Sequence, residues 1–329
     1  MTAFIENCSL PAAVLFLVLG FVFLVKGADI FVEGSSSIAK RLHVPSIIIG
    51  LTIVAMGTSL PETAVSVTAS LANNNALAVS NAVGSNIFNL MVVIGFCAVL
   101  TPVAVQKDVL KRDFPFSMLC AVLLFALGCI GPMILGHFDG VILLALFAVY
   151  VVFLIRSALK ASKSGNTSDD ESIAAAEEMK MISVSKSIFF IVAGAVGIAL
   201  GGDVVVNSAS NIATKFGMSQ TLVGLTIVSI GTSLPELVTS IVAARKNEVD
   251  MALGNAIGSN IFNILMVLGI ASAISPIAFL TENLVDIAIL MVFSVLVWIF
   301  AWTKKKLTKP EGAVMLLLYA AYVVYICMR

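Results

Sequence analysis

Two glutamates draw attention because nothing close to them in the chain can neutralise them. Glu62 is the only Asp, Glu, Lys or Arg between Leu42 and Gln106, and Glu236 is the only one between Lys215 and Arg245. Both lie well inside long apolar stretches of the kind that enter a bilayer. An ionisable side chain at the centre of a membrane costs about 2.5–3.5 kcal/mol on insertion scales, so it calls for a partner. Neither stretch offers a lysine or arginine, and a bound cation is the partner left. Each glutamate closes the run Gly-Thr-Ser-Leu-Pro-Glu, at 57–62 and 231–236. Pro61 and Pro235 carry no N–H, so the carbonyls of Gly57 and Gly231 lose their helical donors. Each run therefore predicts a break within a helix, with carbonyls near Thr58 and Thr232 turned inward. Open backbone at membrane depth is tolerated only where it is buried or lines a cavity. Two carboxylates and the freed carbonyls form a hard-oxygen set suited to calcium, which takes about 6–8 such ligands. No thiolate or imidazole lies near to favour a softer metal.

A second motif adds neutral oxygens. Asn81, Ser85 and Asn89 follow one another at i, i+4 and i+8, along one face of a helix. Asn255, Ser259 and Asn263 repeat the pattern, and uncharged amide and hydroxyl oxygens suit sodium. Two plainer readings stand beside these. Ser59 and Ser233 with Glu62 and Glu236 also fit a capping box closed on its own backbone. Ser and Asn on a membrane helix often serve only as glue between helices.

The two motifs belong to a duplication. Residues 50–62, GLTIVAMGTSLPE, return at 224–236 as GLTIVSIGTSLPE, and NAVGSNIFN at 81–89 returns at 255–263 as NAIGSNIFN. The offset is constant, since 224 − 50 and 255 − 81 both equal 174, and 26 of the 53 positions from Gly50 to Pro102 are identical. Asp29 maps onto Asp203 in the same register. A repeat this exact in spacing marks an internal duplication.

The elements that must position these residues are membrane helices. Of 329 residues, 60% are hydrophobic and 12% charged, and nineteen basic residues balance nineteen acidic ones. Soluble domains carry about 25% charged residues, so a water-soluble enzyme, a disordered chain and a nucleic-acid binder are all excluded. Ten apolar stretches are long enough to span, near 11–32, 44–71, 77–101, 115–133, 138–155, 186–207, 218–244, 251–275, 284–302 and 311–327. With the N-terminus outside, sixteen Lys and Arg fall in inner loops; only Lys215 and Arg329 fall outside, and Lys26 lies within the first span. The expectation is a multi-pass protein of the cytoplasmic membrane with both termini extracytoplasmic. The repeat offset crosses five spans, an odd number, so the second copy must enter the membrane upside down, as in many secondary transporters. The expected architecture is an all-α membrane protein. It has ten transmembrane helices in two inverted five-helix repeats, with helices 2, 3, 7 and 8 broken. Residues 1–155 form the first repeat, 156–185 a charged, Ser-rich cytoplasmic linker, and 186–329 the second repeat. Residues 169–180 could form a short linker helix capped by Ser168. The cysteines show no metal-binding spacing; Cys97, Cys120 and Cys129 read as apolar filler.

These residues resemble the alpha repeats of the cation/calcium exchanger superfamily, in particular the prokaryotic sodium/calcium antiporters. The resemblance rests on G-T-S-L-P-E and on N-A-x-G-S-N-x-x-N, each present twice, and extends over nearly the whole chain. It implies antiport of calcium against sodium by alternating access, with both ions as cargo and no prosthetic group. The partners it implies are the lipid bilayer and inorganic cations, with no nucleic acid and no obligate protein partner. Carried over by position, it implies a calcium site of Glu62, Glu236, Thr58 and Thr232. Sodium sites follow at Ala55, Ser59, Ser85 and Asn89 in one half and at Ser229, Ser233, Ser259 and Asn263 in the other. Some relatives, the potassium-dependent branch among them, place Asp where this chain has Asn263, which argues against potassium co-transport. The alternatives are a calcium/proton exchanger on the same glutamates, a cation channel, and an intramembrane hydrolase using the two acids as acid and base.

Overall fold

The computed structural model describes residues 5, 8–71, 76–129, 133–164, 182–218, 227 and 229–328. Among these, eight helices are long and apolar enough to cross a bilayer. They are α1 (Leu10–Leu42), α4 (Ala78–Leu100), α5 (Val109–Cys129), α6 (His137–Ser162), α7 (Val184–Lys215), α10 (Val249–Ile274), α11 (Thr281–Lys304) and α12 (Lys309–Met328). A ninth span is the pair α2 (Ser46–Thr58) and α3 (Leu60–Leu71), bent by 47° where they meet. Between α7 and α10 come a three-residue turn of helix, α8 (Ser229–Gly231), and α9 (Leu234–Arg245). The expected span 218–244 falls here, and its residues 219–226 and 228 lie outside the described residues, as do the proposed linker helix at 169–180 and its cap Ser168. The protein is thus an all-helical membrane protein with eight to nine apolar crossing helices among its described residues.

Helix α1 has 33 residues and α7 has 32. At 1.5 Å per residue each is about 50 Å long, well beyond the roughly 30 Å of a hydrocarbon core. They pack along each other through glycine. A Cβ on Gly201 would lie 2.5 Å from the Leu24 nitrogen, and one on Gly27 would lie 2.8 Å from the Ile198 nitrogen. Only a residue without a side chain lets the two backbones approach this far.

Helices α4 and α10 form the centre. In each, 78% of the most apolar stretch is buried, against 17–33% in the other long spans. The outer faces of α1, α6 and α7 expose Phe23, Val149 and Phe189, the surface expected toward lipid. Two short antiparallel strand pairs join the halves: β1 (Val103–Ala104) pairs with β4 (Lys306–Leu307), and β2 (Ile134–Leu135) with β3 (Ile277–Ala278).

One expectation is corrected. Helices α4 and α10, the third and eighth expected spans, are not broken. Each runs through without interruption and widens into one π-helical stretch, Asn89–Val93 in α4 and Asn263–Val267 in α10. The reason is that neither contains proline, so no backbone donor is missing and the helix can absorb the strain by adding a residue to a turn. The breaks stay at the two proline-containing runs. All five cysteines are free, including Cys8 and Cys327.

Candidate cation site

The local fold of each Gly-Thr-Ser-Leu-Pro-Glu run sets the glutamate at a helix start. Helix α3 opens at Leu60 and α9 at Leu234, so Pro61 and Pro235 sit in the first turn, where a missing N–H costs nothing. Glu62 and Glu236 follow in those first turns. The positive end of the helix dipole favours a carboxylate there. Gly57 and Gly231 make room for the flanking long helices. A Cβ on Gly57 would meet the Phe31 ring of α1 at 2.7 Å, and one on Gly231 would meet Val206 of α7 at 2.2 Å.

The two glutamates are fully buried and are held crosswise. Ser59 Oγ donates to Glu236 Oε1 at 3.1 Å, and Ser233 Oγ donates to Glu62 Oε1 at 3.3 Å. Each serine thus serves the carboxylate of the opposite repeat. The capping-box alternative is not what is built, since Ser233 makes no side-chain cap bond and both hydroxyls reach across. Ser259 Oγ adds a 3.4 Å bond to Glu236 Oε1, and the Ser85 and Ser233 hydroxyl oxygens lie 2.9 Å apart, within hydrogen-bond distance.

Asn81 and Asn255, expected as members of an oxygen stripe, act as braces. Asn81 Nδ2 donates to the Glu62 carbonyl at 3.5 Å and to Ser66 Oγ at 3.2 Å; Asn255 Nδ2 donates to the Glu236 carbonyl at 3.4 Å and to Ser240 Oγ at 3.0 Å. Their oxygens accept from the opposite half, from Thr232 Oγ1 at 3.3 Å and from Thr58 Oγ1 at 3.0 Å. Thr58 Oγ1 also lies 3.2 Å from the Val54 carbonyl. The threonine hydroxyls are therefore engaged in joining the halves.

Of the remaining expected residues, Ala55 is buried, and its carbonyl accepts the Ser59 N–H at 3.0 Å. Asn89 and Asn263 are buried at the start of the two π-helical stretches. Ser229 opens α8, and its side chain lies outside the described residues. Sequence reasoning did not single out Ser66, Ser240, Asn86 or Asn260. Asn86 and Asn260 had a signal, the shared Gly-Ser-Asn at 84–86 and 258–260.

The oxygens that remain free define what the site can hold. Among the described residues, Glu62 Oε2, Glu236 Oε2, Asn89 Oδ1 and Asn263 Oδ1 are buried with no hydrogen-bond partner. A buried carboxylate oxygen left unpaired is costly, and a cation offsets that cost. No third Asp, Glu, His or Cys joins the two acids in a metal-holding group among the described residues. The donor set is thus two carboxylates with neutral oxygens, which fits hard cations such as calcium and sodium.

Comparison with known proteins agrees with this chemistry. The family described as sodium/calcium exchanger protein matches residues 12–156 and 186–328. The chain belongs to the sodium/calcium exchanger family. It is 33% identical over 340 residues to sodium/calcium exchanger MaX1 of Methanosarcina acetivorans, covering 94% of this chain and 97% of that protein. It is 41% identical over 266 residues to the putative antiporter CaxA of Alkalimonas amylolytica, covering 80% and 81% respectively. The sodium-calcium exchanger NCX_Mj, soaked with 2.5 mM Na+ and 10 mM Sr2+, superposes with a TM-score of 0.82 at 31% identity over 96% of this chain and 99% of that one. Membership makes the exchanger a multi-pass ion transporter with cations as cargo, and it removes the hydrolase reading. It also favours sodium over protons as the counter-ion.

Proposed function

We propose that the chain exchanges calcium for sodium across the cytoplasmic membrane by alternating access, both ions competing for Glu62 and Glu236. The observation that carries this reading is the crossed pair of Ser–Glu bonds, which ties the two fully buried glutamates of the repeated motif into one site. Thr58 and Thr232 complete the calcium site. Ala55, Ser59, Ser85 and Asn89, with Ser229, Ser233, Ser259 and Asn263, serve sodium. Without cargo, two buried carboxylates face each other in a dry interior, so crossing unloaded is unfavourable. One calcium or several sodium ions relieve that charge, and each excludes the other. This makes transport an obligatory exchange.

The proposed frame is ten spans in two inverted repeats, 1–155 and 186–329, joined by a cytoplasmic linker at 156–185, with both termini outside. The strand pairs support the inversion. Strand β1 lies just after α4, and β3 lies at the matching place after α10, offset by 174 residues from Val103 to Ile277. Strand β3 pairs with β2, which is one crossing helix, α5, away from β1. The two matching strands thus belong to opposite faces.

The test is calcium-45 uptake into proteoliposomes. Sodium-loaded vesicles diluted into sodium-free buffer should accumulate calcium, and choline- or potassium-loaded vesicles should not. Uptake driven equally by a pH gradient without sodium would favour proton exchange and overturn the reading. Passive flux at channel rates without sodium dependence would do the same.

A further inference from the structure

Helices α4 and α10 are joined directly at the residues that follow Ser85 and Ser259. Asn86 Nδ2 donates to the Asn260 carbonyl at 3.1 Å, and Asn260 Nδ2 donates to the Asn86 carbonyl at 3.2 Å. Both residues are buried and lie 174 positions apart, so the brace obeys the repeat. A third bond does not. Asn263 Nδ2 donates to Asn86 Oδ1 at 3.1 Å. The matching bond, from Asn89 Nδ2 to Asn260 Oδ1, is not made: among the described residues Asn89 Nδ2, Asn89 Oδ1 and Asn260 Oδ1 have no partner.

This difference matters because an amide has two faces. Its oxygen can bind a cation, and its NH2 cannot. Asn86 occupies the NH2 of Asn263, so the Asn263 oxygen is the atom left over, and it is buried without a partner. The Asn89 amide has no such hold. A ligand fixed before the ion arrives loses less freedom on binding.

We propose that Asn86 is a positioning residue that presents Asn263 as a preset oxygen ligand for sodium, while Asn89 is ordered only by the ion, so the two halves contribute unequally to sodium binding. This rests on the reading of Asn263 as a sodium ligand. Calcium, held by the glutamates, is largely indifferent to Asn86.

Four variants in proteoliposomes, with sodium half-saturation and calcium KM measured in parallel, test it. Asn86→Ala should raise the sodium half-saturation concentration by about tenfold, the scale of one buried hydrogen bond, and leave calcium KM within about twofold. Asn260→Ala removes the matching half of the inter-helix brace, its bond to the Asn86 carbonyl, but leaves Asn86 Oδ1, and should leave the ratio of the two constants unchanged. Asn86→Gln keeps an uncharged amide with an oxygen acceptor for Asn263, and serves if the alanine variant does not fold. It should retain the wild-type ratio, and a selective loss of sodium affinity would overturn the proposal. Equal effects of Asn86→Ala and Asn260→Ala on the ratio would make Asn86 a structural staple and also overturn it. Asn263→Ala separates the two levels: if sodium half-saturation ignores it, the ligand reading of Asn263 fails. If it responds while Asn86→Ala does not, only the positioning role fails.

Discussion

The central helix pair α4/α10 and the outer pair α1/α7 are joined by different balances of directional and close-packed contact. Between α4 and α10 the contacts are directional, with Asn86 and Asn260 exchanging backbone bonds and Asn263 held by Asn86. Between α1 and α7 the contact is mostly close and smooth, glycine against backbone at Gly27, Gly194 and Gly201, with a directional bond from Ser187 Oγ to Ser37 Oγ at 3.2 Å toward the end of α1. Directional bonds fix one register, whereas close glycine faces hold two helices together without fixing what lies beside them. The polar ties from α1 to the site bundle reach the α9–α10 connection, where Ser36 bonds Glu248 and Lys246 Nζ pairs with Asp29 Oδ1 at 2.7 Å. Phe31 of α1 packs on Gly57 and Val206 of α7 on Gly231, one at each helix break. These contacts support the proposed ion site on α2, α3, α4, α9 and α10, and we propose that α1 and α7 move as a unit past the breaks to change access.

Substitutions in each region sharpen or break that division. Glu62→Gln or Glu236→Gln should cut exchange by about 100-fold or more, equivalent to roughly 3 kcal/mol of lost cation stabilisation. Circular dichroism and size-exclusion profiles should stay those of the wild type. Gly201→Leu overpacks the outer seam at a cost of about 1–3 kcal/mol. It should slow transport and lower the melting temperature while equilibrium calcium binding persists. An equal loss of calcium affinity would show that the two regions are not separate. Ser59→Ala and Ser233→Ala each remove one bond to a carboxylate and should weaken calcium binding by up to about tenfold. The smallest effect belongs to Lys246→Met with Asp29→Asn. That pair is partly exposed and contributes less than about 1 kcal/mol, so the change should appear only in transport rate and fade at high salt.

Much of this was legible in the chain. The 174-residue offset and the isolated charges of Glu62 and Glu236 marked the candidate site, because a repeated motif and an unpaired acid in an apolar run are properties of the sequence itself. The prolines located the two helix breaks for the same reason. Pairings between the halves were not legible. Ser59 carries the same signature whether it caps its own helix or reaches Glu236, 177 residues away. A sequence states what a hydroxyl can donate but not which acceptor the packing brings near. Asn81 and Asn255 were read as ion-facing for that reason, although their amide nitrogens brace the glutamate carbonyls. The π-helical stretches at Asn89 and Asn263 carry no proline or other marker, so a break was expected where a widened turn occurs.

The central claim is that one pair of carboxylates holds either cargo. Equilibrium calcium-45 binding to the purified protein across a series of sodium concentrations tests it directly. The account predicts that sodium raises the calcium Kd steeply, with the same binding capacity at saturation. Sodium that reduces capacity without moving Kd, or leaves calcium binding unchanged, would contradict a shared site.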